Sequence, residues 1–334
     1  MRSHFSLNRG VATACAVAGA TTLLNGNCSA QHIIAADYAT NSIYAGGWAA
    51  GQNGGYGFGP WSFDGTAGTN GIANPGAQQA ISSSSAIGTA WTLYNGPSQP
   101  PGGPGISVTG RAITEPGGLQ PGQTLEAVIQ NPTAYHFYRG FDILCLNGTN
   151  NDPAGVGTSA IRTQVFDYFG TDWSIIDNDG STLTTLDAGT TAAAGMKYDL
   201  TLTSTTNYLL TLTPLSNPSA AYSQTGTLTT NLPINWVNFR LYLGPNSGPN
   251  DPVNDFEISS MTIAGLTLNI QRVGDNAILS WTTNVPGFYL ESSTNLGSSA
   301  VWSTNNLPVP VVVNGQNAVT NPIAGTQQFY RLQQ

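Results

Sequence analysis

Charge is scarce in this chain, and the scarcity narrows the function before any motif is read. Lys, Arg, Asp and Glu make up 8% of the 334 residues, about a third of the usual quarter. Nine basic residues stand against seventeen acidic ones, a net charge of −8. Such a surface is a poor partner for nucleic acid or an anionic membrane face, both of which draw on clustered Lys and Arg. Histidine and cysteine occur three times each, too few to close a tetrahedral zinc site. Glutamate occurs only at Glu115, Glu126, Glu257 and Glu291. No strand carries the Glu-x-Asp-x-x-Glu of a retaining glucanase, and no Gly-x-Ser-x-Gly elbow is present.

The N-terminal apolar run, "VATACAVAGATTLLNG", is too short to span a bilayer as a permanent helix, which needs ~20 residues. Arg2 and Arg9 precede it, and Cys28, Ser29 and Ala30 supply the small residues a signal peptidase reads. Residues 1–30 are therefore expected to be a signal peptide, cleaved after Ala30. The mature chain would be exported to the periplasm, the cell surface or the medium, without membrane insertion. Cleavage removes Cys15 and Cys28 and leaves Cys145 alone, which excludes an intramolecular disulfide. Within "FDILCLNG", Cys145 reads as a buried small hydrophobe.

Helical periodicity is also missing beyond residue 30. Period-two runs of β-branched and aromatic residues recur instead at 106–113, 123–130, 139–147, 160–170, 199–205, 208–215, 235–244 and 255–265. "DNDG" (177–180) reads as a hairpin turn, since residues 175 and 186, Ile and Leu, cannot serve an EF-hand loop. Pro/Gly-rich segments at 95–105 and 243–255 read as long loops. A boundary falls near residue 265. The expected fold class is all-β: an antiparallel jelly-roll sandwich over 31–265, then a small immunoglobulin- or fibronectin-like β-sandwich over 266–334.

Aromatics and glycines concentrate in one place, "GGWAAGQNGGYGFGPW" (46–61). Gly-rich backbone permits close chain approach and lets large rings pack. With the flanking "NSIY", this stretch resembles the start of a group of exported bacterial proteins with a concanavalin A-like (laminin G-like) jelly roll. The matching positions are Tyr44, Gly47, Trp48, Gly51, Asn53, Gly54, Gly55, Gly57, Phe58, Pro60 and Trp61. "LQPGQTLEAVIQN" (119–131) is similar to a second element of that group, and the tail from Leu290 is similar to a fibronectin type III-like module. The resemblance implies fold and export; activity in the group is mostly unassigned.

Function is therefore read from residue chemistry. The chain is expected to be a non-enzymatic binding or structural protein that recognises extracellular glycan, since sugars take aromatic faces and amide or carboxylate groups without net positive charge. Tyr56, Asn53, Trp48 and Trp61 are the candidate ligand contacts. Tyr56 reads as the exposed ring, and the two tryptophans read more readily as core or loop anchors than as contacts. The resemblance also raises calcium between the first and last strands, with Asp37, Asp251 and Asp255 as candidate ligands. The alternative is a polysaccharide-active enzyme with a hidden carboxylate pair, for which Glu126 and Asp142 are the residues to test.

Overall fold

The computed structural model describes residues 15–18, 27–30, 33–64, 77–84, 86–95, 105–131, 139–148, 161–168, 172–243, 254–283, 287–296, 299–323 and 327–333. The chain divides into two compact units, Ile34–Ala264 and a second unit of Gly265–Gln334 that also takes in the N-terminal strands. Those strands are β1 (Cys15–Ala18) and β2 (Asn27–Ala30). The large unit begins with β3 (Ile33–Tyr38), β4 (Ser62–Asp64) and the hairpin of β5 (Ala77–Ser84) and β6 (Gly88–Asn95). It continues with β7 (Gly105–Ala112), β8 (Thr124–Gln130), β9 (Arg139–Leu146), β10 (Ile161–Tyr168), β11 (Asp172–Asp177) and β12 (Gly180–Asp187). One short helix, α1 (Ala188–Ala193), precedes β13 (Met196–Leu202), β14 (Asn207–Pro214), β15 (Tyr222–Thr227), β16 (Trp236–Leu243) and β17 (Asn254–Ala264).

Two antiparallel sheets form the large unit. One has the order β12-β11-β10-β9-β16-β7-β4, the other β15-β14-β13-β8-β17-β6-β5 with β3 also pairing β17. The chain crosses repeatedly between the sheets, and β16 and β17 insert at their centres, the pattern of a jelly roll. Period-two sequence drives the layering: along β13, Met196, Tyr198, Leu200 and Leu202 are buried while Lys197, Asp199 and Thr201 are not. Facing rings close the core, with Phe141 of β9 stacked on Phe256 of β17 at 4.6 Å between centroids. Cys145 is buried there, its thiol 3.6 Å from the Tyr198 hydroxyl and pushed up to about 12 by burial. The "DNDG" turn joins β11 to β12, with Asp177 opposite Gly180.

The second unit holds β18 (Leu268–Val273), β19 (Asn276–Thr282), β20 (Tyr289–Ser293), β21 (Val311–Val313), β22 (Gln316–Pro322) and β23 (Gln327–Gln333). Its sheets are β2-β18-β19-β22-β21 and β1-β23-β20, around a core that includes Leu279, Trp281, Val319 and Tyr330.

A buried cation in the large unit has no partner among the described residues. Arg162 is fully buried, and none of its three guanidinium nitrogens has a hydrogen-bond partner among the described residues. Burial pushes its pKa down to about 10, against a smaller upward influence from Cys145. A buried unpaired cation is costly, so Arg162→Met should stabilise the unit by about 1–4 kcal/mol in urea titrations. A loss of stability would show that the guanidinium is partnered in solution.

Candidate functional site

The Gly- and aromatic-rich stretch folds around an ion pair that sequence reading did not anticipate. Arg111 of β7 and Asp37 of β3 are both fully buried, with Nη1 2.7 Å from Oδ2. The Tyr44 hydroxyl donates to the same Oδ2 at 2.6 Å and accepts from the Gly54 N–H at 2.8 Å and Trp61 Nε1–H at 3.2 Å. Asp37 Oδ1 accepts from the Tyr38 N–H and Asn41 Nδ2. Arg111 donates further to Asn53 Oδ1 at 2.7 Å and to the Gly59 carbonyl. Its guanidinium lies 4.5 Å from the Trp61 ring centroid and 4.9 Å from that of Phe58. Burial, then the bond to Asp37, pushes the Tyr44 phenol up to about 12. Gly55 is required here, because a Cβ would stand 1.8 Å from the Ala36 carbonyl oxygen.

This geometry corrects several expectations. Trp48 and Trp61 are 5% and 1% exposed and pack edge to face at 5.1 Å, so they are core and not ligand contacts. Asn53 is occupied at both ends, by Arg111 and by the Phe58 carbonyl. Asp37 already has its cation in Arg111, which removes it as a calcium ligand. Asp255 lies on β17 opposite Tyr94 of β6, and Asp251 lies outside the described residues. Among the described residues, no three of His, Cys, Asp and Glu gather into a metal-binding group. Tyr56 alone of the four aromatic and amide candidates presents a ring to solvent, at 46% exposure. Tyr56→Ala should leave the melting temperature within about 1 °C of wild type, as a surface change of less than ~0.5 kcal/mol would.

An open polar face lies on the outside of the sheet containing β8 and β13. Leu125, Ala127 and Ile129 of β8 face the core, so Thr124, Glu126 and Val128 face outward. Strand pairing then lines up a transverse row: Thr262 of β17, Glu126 of β8, Asp199 of β13, Thr211 of β14 and Ser223 of β15. Lys197 Nζ bridges the acids, 3.1 Å from Glu126 Oε2 and 2.9 Å from Asp199 Oδ2. Thr211 and Ser223 share a hydrogen bond at 2.9 Å, and Thr124 and Thr201 share one at 2.7 Å in the flanking row. On the far side of β17, Ala36 of β3 pairs with Tyr56. Ala35 and Ala39 face the core, which turns Ala36, Tyr38 and Tyr56 outward onto the same face as the row. Tyr38 is 43% exposed.

Desolvation raises the Asp199 carboxyl to about 6, with Lys197 pulling it down and Glu126 pushing it up. Its folded value lies above its ordinary 3.8. The folded chain therefore holds a proton that the unfolded chain releases, and stability from this group falls as pH rises from about 4 through about 6. Asp199→Asn should flatten that part of the stability profile in melts taken across the window. An unchanged slope would reassign it to another group.

Outward-facing side chains of the other sheet are buried. Asp142 of β9 is fully buried against Arg240 of β16, whose Nε lies 3.0 and 2.9 Å from its two oxygens, and it accepts from Gln164 at 3.0 Å. Trp236 packs with Leu144 and Leu146 and donates to Asn238 Oδ1 at 2.6 Å. Gly110 leaves room for that pair, as a Cβ would stand 1.9 Å from the Asn238 oxygen. Glu126 and Asp142 thus lie on opposite outer faces of the sandwich and cannot act as one carboxylate pair. The partner of Glu126 is Asp199, which sequence reading missed.

No family model matches the sequence, and no curated protein matches it. Similar solved structures include a chain described with the endo-acting O-glycanases that human gut bacteria express to initiate mucin breakdown. It is 10% identical with a TM-score of 0.42, over 70% of this chain and 100% of that one. The Bacillus licheniformis β-glucanase is 9% identical with a TM-score of 0.38, over 64% and 95%. The carbohydrate recognition domain of Emp46p is 11% identical with a TM-score of 0.36, over 61% and 87%. Likeness at this level assigns neither activity nor ligand to this chain.

Proposed function

We propose that this is an exported protein that binds extracellular polysaccharide without cleaving it, through the outward face of the sheet containing β8 and β13. The observation that carries this reading is the outward row of hydroxyls and carboxylates, from part-buried Glu126 and Asp199 to exposed Ser223, with Lys197 bridging its two acids. Donors and acceptors stand side by side at the ~4.8 Å spacing of strands, held by the sheet and not by mobile loops. The ammonium bridges both acids, so each is committed to a fixed orientation, as a recognition site requires and a free nucleophile does not. Gel electrophoresis through neutral polysaccharides such as xylan, mannan and mixed-linkage glucan tests it. The protein should be retarded by at least one, and Glu126→Gln with Lys197→Ala should abolish the retardation. Uniform migration through all of them would remove the reading.

Export belongs to the same proposal. Cleavage after Ala30 would take away β1 and β2, which are edge strands of their sheets, so no interior ladder is broken. N-terminal sequencing of the secreted protein should begin at Gln31. We propose likewise that the unit from Gly265 is the small fibronectin type III-like module its sequence resembles.

A second reading has one observation in its favour. Asp199, its pKa raised to about 6, and Glu126 place oxygens 2.9 and 3.1 Å from the same nitrogen, which keeps those oxygens within about 6 Å of each other, a range that includes the ~5 Å carboxyl separation of a retaining glycosidase. Release of reducing sugar between about pH 5 and 6, lost in Asp199→Asn, would make the protein an enzyme.

A further inference from the structure

We infer that the ligand is an extended, neutral glycan chain that lies across the strands, along the row from Tyr56 to Ser223. This rests on the glycan-binding reading above and adds the ligand's shape, charge and direction. Three observations carry it. The row is continuous in register: Thr262, Glu126, Asp199, Thr211 and Ser223 occupy five neighbouring strands, with Thr262 and Ala36 as small, buried floor positions between Glu126 and the tyrosines. Adjacent strands are ~4.8 Å apart, about the advance of one pyranose in an extended β-linked chain, so successive sugars meet successive side chains.

The walls of the row are low. Thr124 and Thr201 flank it on one side, and Val128, Lys197 and Thr213 on the other; of these only Lys197 is long, and its ammonium lies between Glu126 and Asp199 and so joins the surface a chain would pass over. A single sugar would contact only the Glu126–Lys197–Asp199 centre. A longer one reaches the Thr211–Ser223 pair at one end and the half-exposed rings of Tyr38 and Tyr56 at the other. Aromatic faces suit the C–H surface of a pyranose.

Charge sets the class. The central cluster has two carboxylates and one ammonium, in a chain of net charge −8. Uronate or sulfate groups would meet more negative than positive charge, whereas neutral hydroxyls find both acceptors and a donor.

Calorimetric titration of the full mature chain with cello-, xylo- and manno-oligosaccharides, from disaccharide to hexasaccharide, tests the inference. In at least one series, affinity should rise with each added sugar. Tyr56→Ala should lower hexasaccharide affinity about fivefold and flatten the length dependence. Ser223→Tyr, which raises a wall at the opposite end, should do the same, with melting temperature confirming that both variants fold. Three results would overturn it. Equal affinity for disaccharide and hexasaccharide, still lost in Glu126→Gln, would keep glycan binding and remove the track. Preference for oligogalacturonate over every neutral series would remove the charge argument. Binding to no oligosaccharide and no polysaccharide would remove this inference and the glycan-binding reading together.

Discussion

Asp37→Ala is expected to destabilise the large unit by about 3–5 kcal/mol, the cost of breaking a fully buried ion pair. The cost is less the lost attraction than what remains. Arg111 would stay buried with its charge uncompensated, and Tyr44 would lose the acceptor for its hydroxyl. For a unit of this size that is a fall of about 10 °C in Tm. Asp37→Ala combined with Arg111→Met should recover much of the loss, because it removes the stranded charge. Urea titration followed by tryptophan fluorescence measures both, and a single variant within about 1 kcal/mol of wild type would show that the pair is solvated in solution.

Trp48→Ala is the second large effect, about 3–5 kcal/mol, from a cavity among rings that cannot collapse into it. Trp48 contacts Trp61 at 5.1 Å, Phe63 at 4.7 Å and Trp91 at 6.2 Å between centroids. Its Nε1 is buried with no hydrogen-bond partner among the described residues. The indole is thus present for its volume, and Trp48→Phe should recover most of the stability, since it removes an unsatisfied donor along with part of the bulk. If Trp48→Ala melts like wild type, the ring is not core and the packing described for residues 46–61 is wrong.

The contrast between Trp48 and Tyr56 shows where sequence stops being informative. Both rings sit in the same uncharged, Gly-rich stretch, and composition cannot separate them. Exposure depends on what packs against each ring, and the partners of Trp48 come from β4 and β6 as well as its own loop. Arg111 is a sharper case. It is an unremarked basic residue in an alternating strand, yet it pairs with Asp37 at 74 residues' separation and gathers Tyr44, Asn53, Phe58 and Trp61 around it.

Strand positions were legible in the sequence because alternation is local: successive side chains point to opposite faces of any strand, and where one face is core and the other wet, as in β8, β13 and β14, polarity follows that period. β8, β9, β10, β13, β14, β16 and β17 fall within a few residues of where alternation puts them. The "DNDG" turn and the buried Cys145 follow from equally short-range signals. The Glu126–Lys197–Asp199 cluster left no such trace. Glu126 and Lys197 are 71 residues apart, and they meet because β8 pairs with β13 in one register; a slip of one residue would turn the whole outward row into the core. Register is set by the packing of both sheets against each other, and so only the tertiary structure brought these side chains to one face.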